Sequence, residues 1–211
     1  MIFGFTINIR RVRYFSMKLI DEYISQAVAA LRAGQVILYP TDTIWGLGCD
    51  CRNAVAINQI YRIKQRDPSK SMLILVHPDQ LQVASGSSAI DQRANHLLRH
   101  ASRPTTVILP AQWLQGVGDL SLLTAHEGTI GVRIPRHDFC LSLLSRLGAP
   151  ITSTSANFSG FPSPQGYSDI AADIIHAVGY AVPNHPSFAS GQTQGSRIIK
   201  LTPQGEVTLR E

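Results

Sequence analysis

Short apolar runs alternate with amphipathic helical patterns from Met17 onward, and no linker interrupts this alternation. Four of the apolar runs have the length of buried strands and lie at 36–39, 72–76, 105–109 and 129–134. The segments between them repeat apolar residues at three- and four-residue spacing, which is typical of helices packed on a sheet. The alternation predicts an α/β or α+β sheet with flanking helices, although it does not give the order of the strands.

Capping and stop signals set the bounds of the predicted helices. An amphipathic stretch that contains Leu19 and Leu31 ends at Gly34, and a second helix at about 54–65 begins after Asn53. Further helices are predicted at 89–100, at 139–147 before Gly148, and from Ser168 and Asp169 to Gly179. Short strands complete the prediction at 150–152, 197–199 and 207–209.

The composition is that of a globular chain. Of its 211 residues, 44% are hydrophobic and 16% are charged, below the ~25% of an average soluble domain, so disorder is excluded for the bulk of the chain. Glycine, proline or a charged residue interrupts every apolar run before the ~20 residues that a membrane span needs. Cys49, Cys51 and Cys140 are sparse and odd in number, which argues against a disulfide framework and favours the reducing cytoplasm.

The basic charge is concentrated in the first 16 residues. The formal net charge is +5, and Arg10, Arg11 and Arg13 stand in a segment without an acidic residue, which leaves +2 for the rest. The segment lacks the small-residue cleavage site of a secretory signal. We therefore separate a basic N-terminal extension at 1–16 from a single domain at 17–211. The extension is either a disordered or artefactual segment or an arm that contacts RNA.

Several standard site patterns are missing from the sequence. No segment matches the phosphate-binding pattern GxxxxGKS/T, and Gly46-Leu47-Gly48 lacks the third glycine of a dinucleotide-binding fingerprint. No serine stands in a GxSxG elbow. Cys49 and Cys51 have no second pair of ligands at a suitable spacing, so no metal site is predicted.

The first polar cluster is YPTDTIWGLGCD at 39–50, where a predicted buried strand ends at Pro40. Thr41, Asp42 and Thr43 follow at the edge of the sheet, where open α/β sheets bind their ligands. The glycines of the GLG sequence would let the backbone approach a ligand closely. The alternative is that the threonine and aspartate side chains only satisfy a turn.

The second polar cluster is RIKQRDPSK at 62–70, in which four basic residues stand against one acid. Lys64 continues the buried stripe of the predicted helix, so its cation extends from the buried side. A polyphosphate bound by Lys64, Arg66 and Lys70 would explain this density of positive charge. The alternative is that basic residues in a last turn only complement the helix macrodipole.

The third polar cluster is PITSTSANFSGFPSP at 150–164, where a predicted strand ends in small hydroxyl and amide side chains. They are Ser153, Thr154, Ser155 and Asn157. A cap would use one or two such groups, so this cluster favours a binding role over capping alone. On another predicted strand, Arg133 carries a guanidinium suited to holding a carboxylate with two hydrogen bonds.

Together these clusters resemble a known family. The chain is similar to the TsaC/YrdC family of bacterial L-threonylcarbamoyladenylate synthases in YPTDTIWGLG at 39–48, KQR at 64–66, GVRIP at 131–135 and STSAN at 153–157. The resemblance runs from Leu19 to Leu201. It implies a YrdC-like fold, an open twisted mixed sheet with flanking helices around a large positively lined cavity.

The resemblance also implies a reaction. A nucleotidyltransferase of this family joins L-threonine, bicarbonate and ATP into threonylcarbamoyl-AMP and releases pyrophosphate, as the first step towards the N6-threonylcarbamoyladenosine at tRNA position 37. The implied partners are a downstream threonylcarbamoyl transferase complex and tRNA or double-stranded RNA, with no membrane, and the implied location is cytoplasmic. Mg²⁺ is expected to be bound mainly by ATP phosphate oxygens, because it keeps its waters and needs few protein ligands.

Residue roles follow from the same motifs. Lys64 and Arg66 are the implied catalytic residues, since preorganised cations stabilise the charge that accumulates on transferring phosphate oxygens. The residues implied to bind ATP are Lys64, Arg66, Lys70, Thr129, Ser155, Asn157, Ser163 and Ser196. Those implied to bind L-threonine are Thr41, Ser153 and Arg133, with Arg133 on the carboxylate.

Two segments depart from the family pattern. Asp67 stands where a proline usually follows the Lys-x-Arg motif, and residues 101–106 read Ala-Ser-Arg-Pro-Thr-Thr where the family has Trp-Pro-Gly-Pro-x-Thr. We therefore expect the 101–106 loop to differ in shape. Two alternatives to the synthase stay open: a non-catalytic RNA-binding protein, and a paralogue of the same fold with a different substrate. The paralogue group lacks the Lys-x-Arg and Ser-x-Asn residues that this chain keeps, which favours the synthase.

Overall fold

Helices and strands alternate along the chain, as the apolar pattern predicts. The computed structural model describes residues 9–188, 194–202 and 204–211, with side chains from residue 16 onward except residue 88. In this part of the chain the α-helices are α1 (Ile9–Arg32), α2 (Ala54–Lys64), α3 (Ser88–His100), α4 (Asp138–Leu147) and α5 (Ala172–Ala177). The strands are β1 (Ile37–Tyr39), β2 (Gly46–Gly48), β3 (Leu73–Leu75), β4 (Gln82–Val83), β5 (Thr105–Pro110), β6 (Leu114–Gln115), β7 (Thr129–Arg133), β8 (Ile151–Ser155), β9 (Tyr180–Ala181), β10 (Arg197–Thr202) and β11 (Gly205–Arg210).

One mixed sheet contains nine of the described strands in the order β11-β10-β5-β7-β3-β8-β2-β1-β9. The pairs β10–β5, β3–β7 and β1–β9 are parallel, and the other neighbours are antiparallel. Strands β4 and β6 form a separate two-stranded ladder. Because β8 lies between β3 and β2, the third polar cluster of the sequence stands next to the first.

The helices cover the sheet with a single apolar core. Helix α1 packs against α4 and contacts β1 and β9, whereas α3 packs on β5 and α2 contacts α5. Leu31 of α1, Leu38 of β1 and Leu143 of α4 belong to the same buried cluster. The predicted α/β sheet with flanking helices is thus confirmed. Within the described ranges, no helix is both long enough and apolar enough to cross a membrane.

Local signals end the helices where the sequence predicts. The Asn53 side chain accepts a hydrogen bond of 3.0 Å from the backbone N–H of Ala56 and so caps the start of α2. Gly148 ends α4 in the left-handed conformation, with φ of 72°. Glycine adopts this conformation without the steric penalty of a side chain, which is why the helix stops there.

Helix α1 begins twelve residues before Asp21, at Ile9. Residues 9–16, the second half of the predicted extension, form its first turns, and residues 1–8 lie outside the described residues. The reason is local, because no glycine or proline interrupts the chain between Ile9 and Arg32, and arginine, lysine and methionine favour helices.

The predicted start of the last helix is wrong. Asp169 accepts hydrogen bonds from the backbone N–H groups of Gln165 (3.1 Å) and Gly166 (3.0 Å), so it caps a 3₁₀ turn at Tyr167–Asp169. Helix α5 begins only at Ala172. The Ser168 and Asp169 signal is therefore real, but it serves a turn before the helix and not the helix itself.

The GLG segment, whose glycines the sequence predicts to let the backbone approach a ligand, forms strand β2 and pairs with both β1 and β8. Gly46 lines the cavity described below, whereas close neighbours account for Gly48. A Cβ atom on Gly48 would lie 2.6 Å from the carbonyl oxygen of Thr152 and 2.8 Å from Cε1 of Tyr39. Gly48 thus serves the packing of backbone against a strand and a buried ring.

Substituting Gly48→Ala should lower the free energy of unfolding by about 1–3 kcal/mol, the usual effect of overpacking. Urea unfolding of the two proteins measures the difference. Gly166→Ala is the matched control, because Gly166 has φ of −147° and its nearest neighbour would lie 3.9 Å from the new Cβ. An equal loss of stability in both variants would contradict the packing argument.

Candidate functional site

A cavity of about 250 Å³ lies where the polar ends of several strands of the large sheet meet. Seven residues predicted from the sequence line it: Thr41, Arg66, Arg133, Ser153, Ser155, Ser163 and Ser196. The other described lining residues are Thr43, Ile44, Gly46, Met72, Leu73, Thr154, Gly195, Ile198 and Arg210. The topology therefore brings together all three polar clusters of the sequence in one place.

The described wall of the cavity is rich in hydroxyl and guanidinium groups. It includes Arg66, Arg133 and Arg210 and no aspartate or glutamate. Threonine and serine hydroxyls stand between these arginines and can donate or accept hydrogen bonds. Such a wall favours an anionic ligand that also carries hydrogen-bonding groups.

Arg133 enters the cavity from the end of β7 and is 3% exposed. Its Nη1 donates a hydrogen bond of 3.0 Å to Thr43 Oγ1, and its Nη2 lies 3.4 Å from Asp42 Oδ1. The second carboxylate oxygen of Asp42 accepts from the backbone N–H of Arg136 at 3.1 Å. The buried Nε of Arg133 has no hydrogen-bond partner among the described residues.

Thr41 organises the loop between β1 and β2. Its Oγ1 donates to the carbonyl oxygen of Ile44 at 2.8 Å and accepts from the backbone N–H of Thr43 at 3.0 Å. The hydroxyl of Thr41 thus satisfies a turn, as the alternative interpretation of this cluster held. It also lines the cavity, so the two interpretations describe the same side chain.

Ser153 is fixed by a buried tyrosine. The hydroxyl of Tyr39 donates a hydrogen bond of 2.7 Å to Ser153 Oγ. Burial raises the pKa of Tyr39 far above its ordinary value, so the phenol stays neutral and remains a donor. Ser153 therefore has its own hydroxyl hydrogen left to donate into the cavity that it lines.

Arg66 reaches the cavity because the chain turns at the end of α2. Gln65 has the left-handed φ of 49° and ψ of 42°, and the backbone N–H of Arg66 then bonds to the carbonyl oxygen of Tyr61 at 2.9 Å. The Nη2 of Arg66 donates to the carbonyl oxygen of Ser71 at 2.9 Å. Its Nε lies 3.5 Å from the carbonyl oxygen of Lys70, so the guanidinium retains further N–H donors for a ligand.

Lys64 has different surroundings from Arg66. It is 2% exposed, and its Nζ donates to the carbonyl oxygens of Ser155 and Asn157, the second at 2.6 Å. Burial, together with the charge of Arg66, lowers the pKa of Lys64 to about 8. Lys64 is not among the described residues that line the cavity.

Ser196 and Arg210 form another part of the wall. Ser196 Oγ lies 2.7 Å from Thr106 Oγ1, and the Ser196 carbonyl oxygen accepts from Nε (2.9 Å) and Nη2 (2.7 Å) of Arg210. Desolvation and the nearby charge of Arg133 lower the pKa of Arg210. Sequence reasoning missed Arg210 because no motif surrounds it, and the alternation of Val207 and Leu209 predicts only a strand.

Besides Lys64, three more residues implied to bind ATP lie outside the described cavity wall. Lys70 is exposed in the turn that follows α2. Thr129 donates its hydroxyl to Oε1 of Glu127 at 3.1 Å. Asn157 donates from Nδ2 to the carbonyl oxygen of Phe161 at 2.7 Å, and its buried Oδ1 has no partner within the described part of the chain.

The loop at 101–106, where the sequence departs from the family pattern, lies beside the cavity. Thr106 holds Ser196, as described above, and Arg103 forms an ion pair with Glu211. Arg103 also lines a smaller cavity of about 50 Å³ that shares Thr43 and Gly195 with the main one. Thr106 matches the family pattern, whereas Arg103 departs from it and places a changed side chain next to the site.

The fold and the cavity define a class of protein: an α/β protein with guanidinium and hydroxyl groups gathered in one cavity of its sheet. The comparison with family models is specific. Residues 29–211 match the Sua5/YciO/YrdC family, whose description is telomere recombination. The chain belongs to this family, and the resemblance found in its motifs is confirmed.

Bacterial relatives of the chain are named threonylcarbamoyl-AMP synthase. The Chromohalobacter salexigens protein is 35% identical over 189 residues, which are 89% of this chain and 96% of the relative. The Idiomarina loihiensis protein is 40% identical over 172 residues, 80% of this chain and 89% of the relative. The Bacillus subtilis protein is 34% identical over 169 residues, 79% of this chain but 47% of the relative.

Solved structures with the same fold agree with this assignment. Pyrococcus abyssi Sua5 complexed with L-threonine superimposes with a TM-score of 0.71 at 25% identity, covering 89% of this chain and 53% of Sua5. Escherichia coli YciO superimposes with a TM-score of 0.67 at 25% identity, covering 90% of this chain and 89% of YciO. The chain thus spans about half of the length of Sua5 and of the Bacillus subtilis relative.

Substituting Asp42→Asn should lower the free energy of unfolding by about 3–5 kcal/mol, because it leaves the charge of Arg133 buried without its partner. Urea unfolding measures this loss. The control is Asp21→Asn, which breaks an exposed ion pair. The side chains of Asp21 and Arg146 are 58% and 40% exposed, so this pair should contribute little to the free energy of unfolding. In the double variant Asp42→Asn with Arg133→Met, the loss should be smaller than the sum of the two single losses; strict additivity would contradict the coupling.

Proposed function

We propose that this protein is an L-threonylcarbamoyladenylate synthase. It joins L-threonine, bicarbonate and ATP into threonylcarbamoyl-AMP, and it releases pyrophosphate and water. The observation that carries the proposal is that one cavity contains the Arg133 guanidinium and the guanidinium groups of Arg66 and Arg210. The product of this reaction carries two anionic groups, a threonine carboxylate at one end and the AMP phosphate between the carbamoyl group and the adenosine. The names of the bacterial relatives support the same reaction.

The threonine end of the cavity is built around Arg133. Its buried guanidinium is held by Asp42 and Thr43, and it lines the part of the cavity to which we assign the substrate carboxylate. Thr41 and Ser153 present hydroxyls from the same wall for the amino and hydroxyl groups of threonine. The Sua5 relative whose structure contains L-threonine supports this assignment.

The nucleotide end is built from the remaining cations and hydroxyls. Arg66 and Arg210 neutralise charge on the phosphates of ATP, and Ser155, Ser163 and Ser196 supply hydrogen bonds. The roles of Thr129, Asn157 and Lys70 at the nucleotide remain predictions of the family resemblance.

The chemistry needs positioning and charge more than a catalytic base. The threonine amine takes up carbon dioxide or bicarbonate to form a carbamate, and a carbamate oxygen attacks the α-phosphorus while the bond to the pyrophosphate oxygen breaks. The arginines stabilise the negative charge on the phosphate oxygens during this transfer. The cavity wall contains no carboxylate or imidazole among its described residues, so no side chain there is assigned as a general base.

The proposed substrate form is MgATP. Within the described ranges, no group of three or more histidine, cysteine, aspartate or glutamate side chains could hold a metal ion. Mg²⁺ is proposed to enter bound to the phosphates of ATP, because it keeps most of its waters and needs few protein ligands.

The product is an activated carbamoyl group on AMP, which a second enzyme must use. A downstream threonylcarbamoyl transferase complex that modifies tRNA is the partner we propose. The proposed location is the cytoplasm, to which the free, buried Cys49, Cys51 and Cys140 are suited.

Pyrophosphate release from MgATP by the purified chain tests the proposal. Release should require both L-threonine and bicarbonate, and L-serine in place of L-threonine should give much less. Release that ignores threonine would point to a paralogue with another substrate. A folded protein that releases no pyrophosphate but binds RNA with a steep salt dependence would support the RNA-binding alternative.

Substituting Arg133→Lys should raise the KM for L-threonine by about 10- to 100-fold, because lysine keeps the charge beside Asp42 but loses the planar fork that grips a carboxylate. The KM for MgATP should change little. Arg66→Ala should do the opposite and reduce turnover and MgATP affinity. Steady-state pyrophosphate release with one substrate varied at a time separates the two effects. If both variants affected the two substrates alike, the division of the cavity would be wrong.

A further inference from the structure

Lys64 is enclosed by main-chain oxygens and does not face the cavity. It is the last residue of α2, and its Nζ donates to the carbonyl oxygens of Ser155 and Asn157. In return, its own carbonyl oxygen accepts a hydrogen bond of 2.8 Å from the backbone N–H of Ser159. Both the side chain and the main chain of Lys64 are therefore tied to one segment, residues 155–159.

The two carbonyl oxygens that converge on Lys64 need a hydrogen-bond donor between them, which Nζ supplies. Each carries a partial negative charge, and both are directed at the same buried ammonium group. A pKa of about 8 leaves Lys64 mostly protonated at neutral pH, so it can donate to both oxygens. An apolar side chain at this position would leave two buried acceptors without their donor.

The backbone at Gln65 separates the two basic residues of the Lys-x-Arg motif. Its left-handed conformation ends the helix, so Lys64 stays on the buried face of α2 with Ile60 and Tyr61. Arg66 follows the turn and reaches the cavity. The motif spacing therefore gives its two cations different environments, one internal and one open to a ligand.

The segment that Lys64 holds carries two residues of the proposed nucleotide site. Ser155 lines the cavity, and Asn157 has a buried Oδ1 with no hydrogen-bond partner in the part of the chain that the structure describes. On one side, the pairing of β8 with β2 and a hydrogen bond of 3.0 Å from the Ala156 N–H to the carbonyl oxygen of Trp45 hold the start of this segment. On the other side, among the described residues, two hydrogen bonds from Lys64 Nζ and one from the Ser159 N–H attach it to the end of α2.

We propose that Lys64 is a positioning residue, a cationic clamp on the main chain of residues 155–159 that sets Ser155 and Asn157 for the nucleotide. In this role it does not touch the phosphates, unlike the role that the motif resemblance implies. The proposal deepens the proposed function and rests on it wherever ATP is the probe.

The affinities for AMP, ADP and ATP distinguish a clamp from a phosphate ligand. Lys64→Met keeps the length and apolar stem of the side chain but removes the donors. Because this substitution disturbs the whole 155–159 segment, it should lower the affinities for AMP, ADP and ATP by a similar factor, on the order of tenfold. Arg66→Ala is the matched control. Its loss of affinity should be smallest for AMP and largest for ATP, because it grows with the number of phosphates. Titration calorimetry of the folded variants gives these constants.

A loss in Lys64→Met that grows with phosphate number, as in Arg66→Ala, would overturn the proposal and make Lys64 a phosphate ligand. Unchanged affinity for all three nucleotides would overturn it as well. If the wild-type protein bound none of them, the proposed function would fail at that point, and the next measurement would still decide the role of Lys64.

Amide hydrogen exchange in the absence of any ligand tests the clamp itself. In Lys64→Met, the amides of Asn157 and Ser159 should exchange faster, while amides of the distant helix α3 keep their rates. Equal exchange rates of these amides in the wild-type protein and in Lys64→Met would contradict the proposed clamp. Exchange that is faster everywhere would show a general loss of stability in place of a local role.

If Lys64→Met does not fold, chemical labelling of lysines in the wild-type protein tests whether Lys64 faces the nucleotide. A caged Lys64 should resist acylation by an amine-reactive reagent with and without ATP, whereas the exposed Lys70 reacts in both conditions. Mass spectrometry of the labelled peptides reports the two sites separately. Rapid labelling of Lys64 that ATP suppresses would mean that the amine faces the nucleotide, and the proposal would fall.

Discussion

The antiparallel pairing of β2 with β8 is the contact on which the cavity depends. Its register sets Gly46 opposite Ser155 and Leu47 opposite Thr154, so the loop after β1 lies beside the end of β8. A Cβ atom on Gly46 would already lie 3.3 Å from the carbonyl oxygen of Thr154, which shows how closely the two strands approach. Without this pairing, the hydroxyls of the first and third polar clusters would not share a wall.

Much of the fold could be predicted because its signals are local. Asn53 and Gly148 mark helix ends through their own backbone and side-chain chemistry, and the apolar runs mark the longer strands. Strand β2 escaped prediction because three residues of sequence GLG have neither length nor an apolar pattern. The order of the strands escaped as well, since it is fixed by contacts between segments far apart in the sequence.

The candidate site could be predicted as a set of residues but not as a geometry. The strand-end motifs contain most of the hydroxyls of the wall, and Arg133 was identified by the chemistry of its guanidinium. Arg210 could not be found, because a lone arginine in a strand has no pattern. The orientation of Lys64 depends on a left-handed residue at Gln65 and on burial against another segment, and neither property is visible in the spacing of a motif.

The residues that line the cavity come from positions between Thr41 and Arg210. They include residues of β2, β3, β7, β8, β10 and β11. No sub-structure of a few neighbouring elements contains it, so the cavity exists only after the large sheet has assembled. A ligand that binds there is therefore linked to global folding and stabilises the whole molecule, by about 2.7 kcal/mol when its concentration is a hundred times its Kd. Any ligand of this cavity would therefore also protect the folded chain against global unfolding.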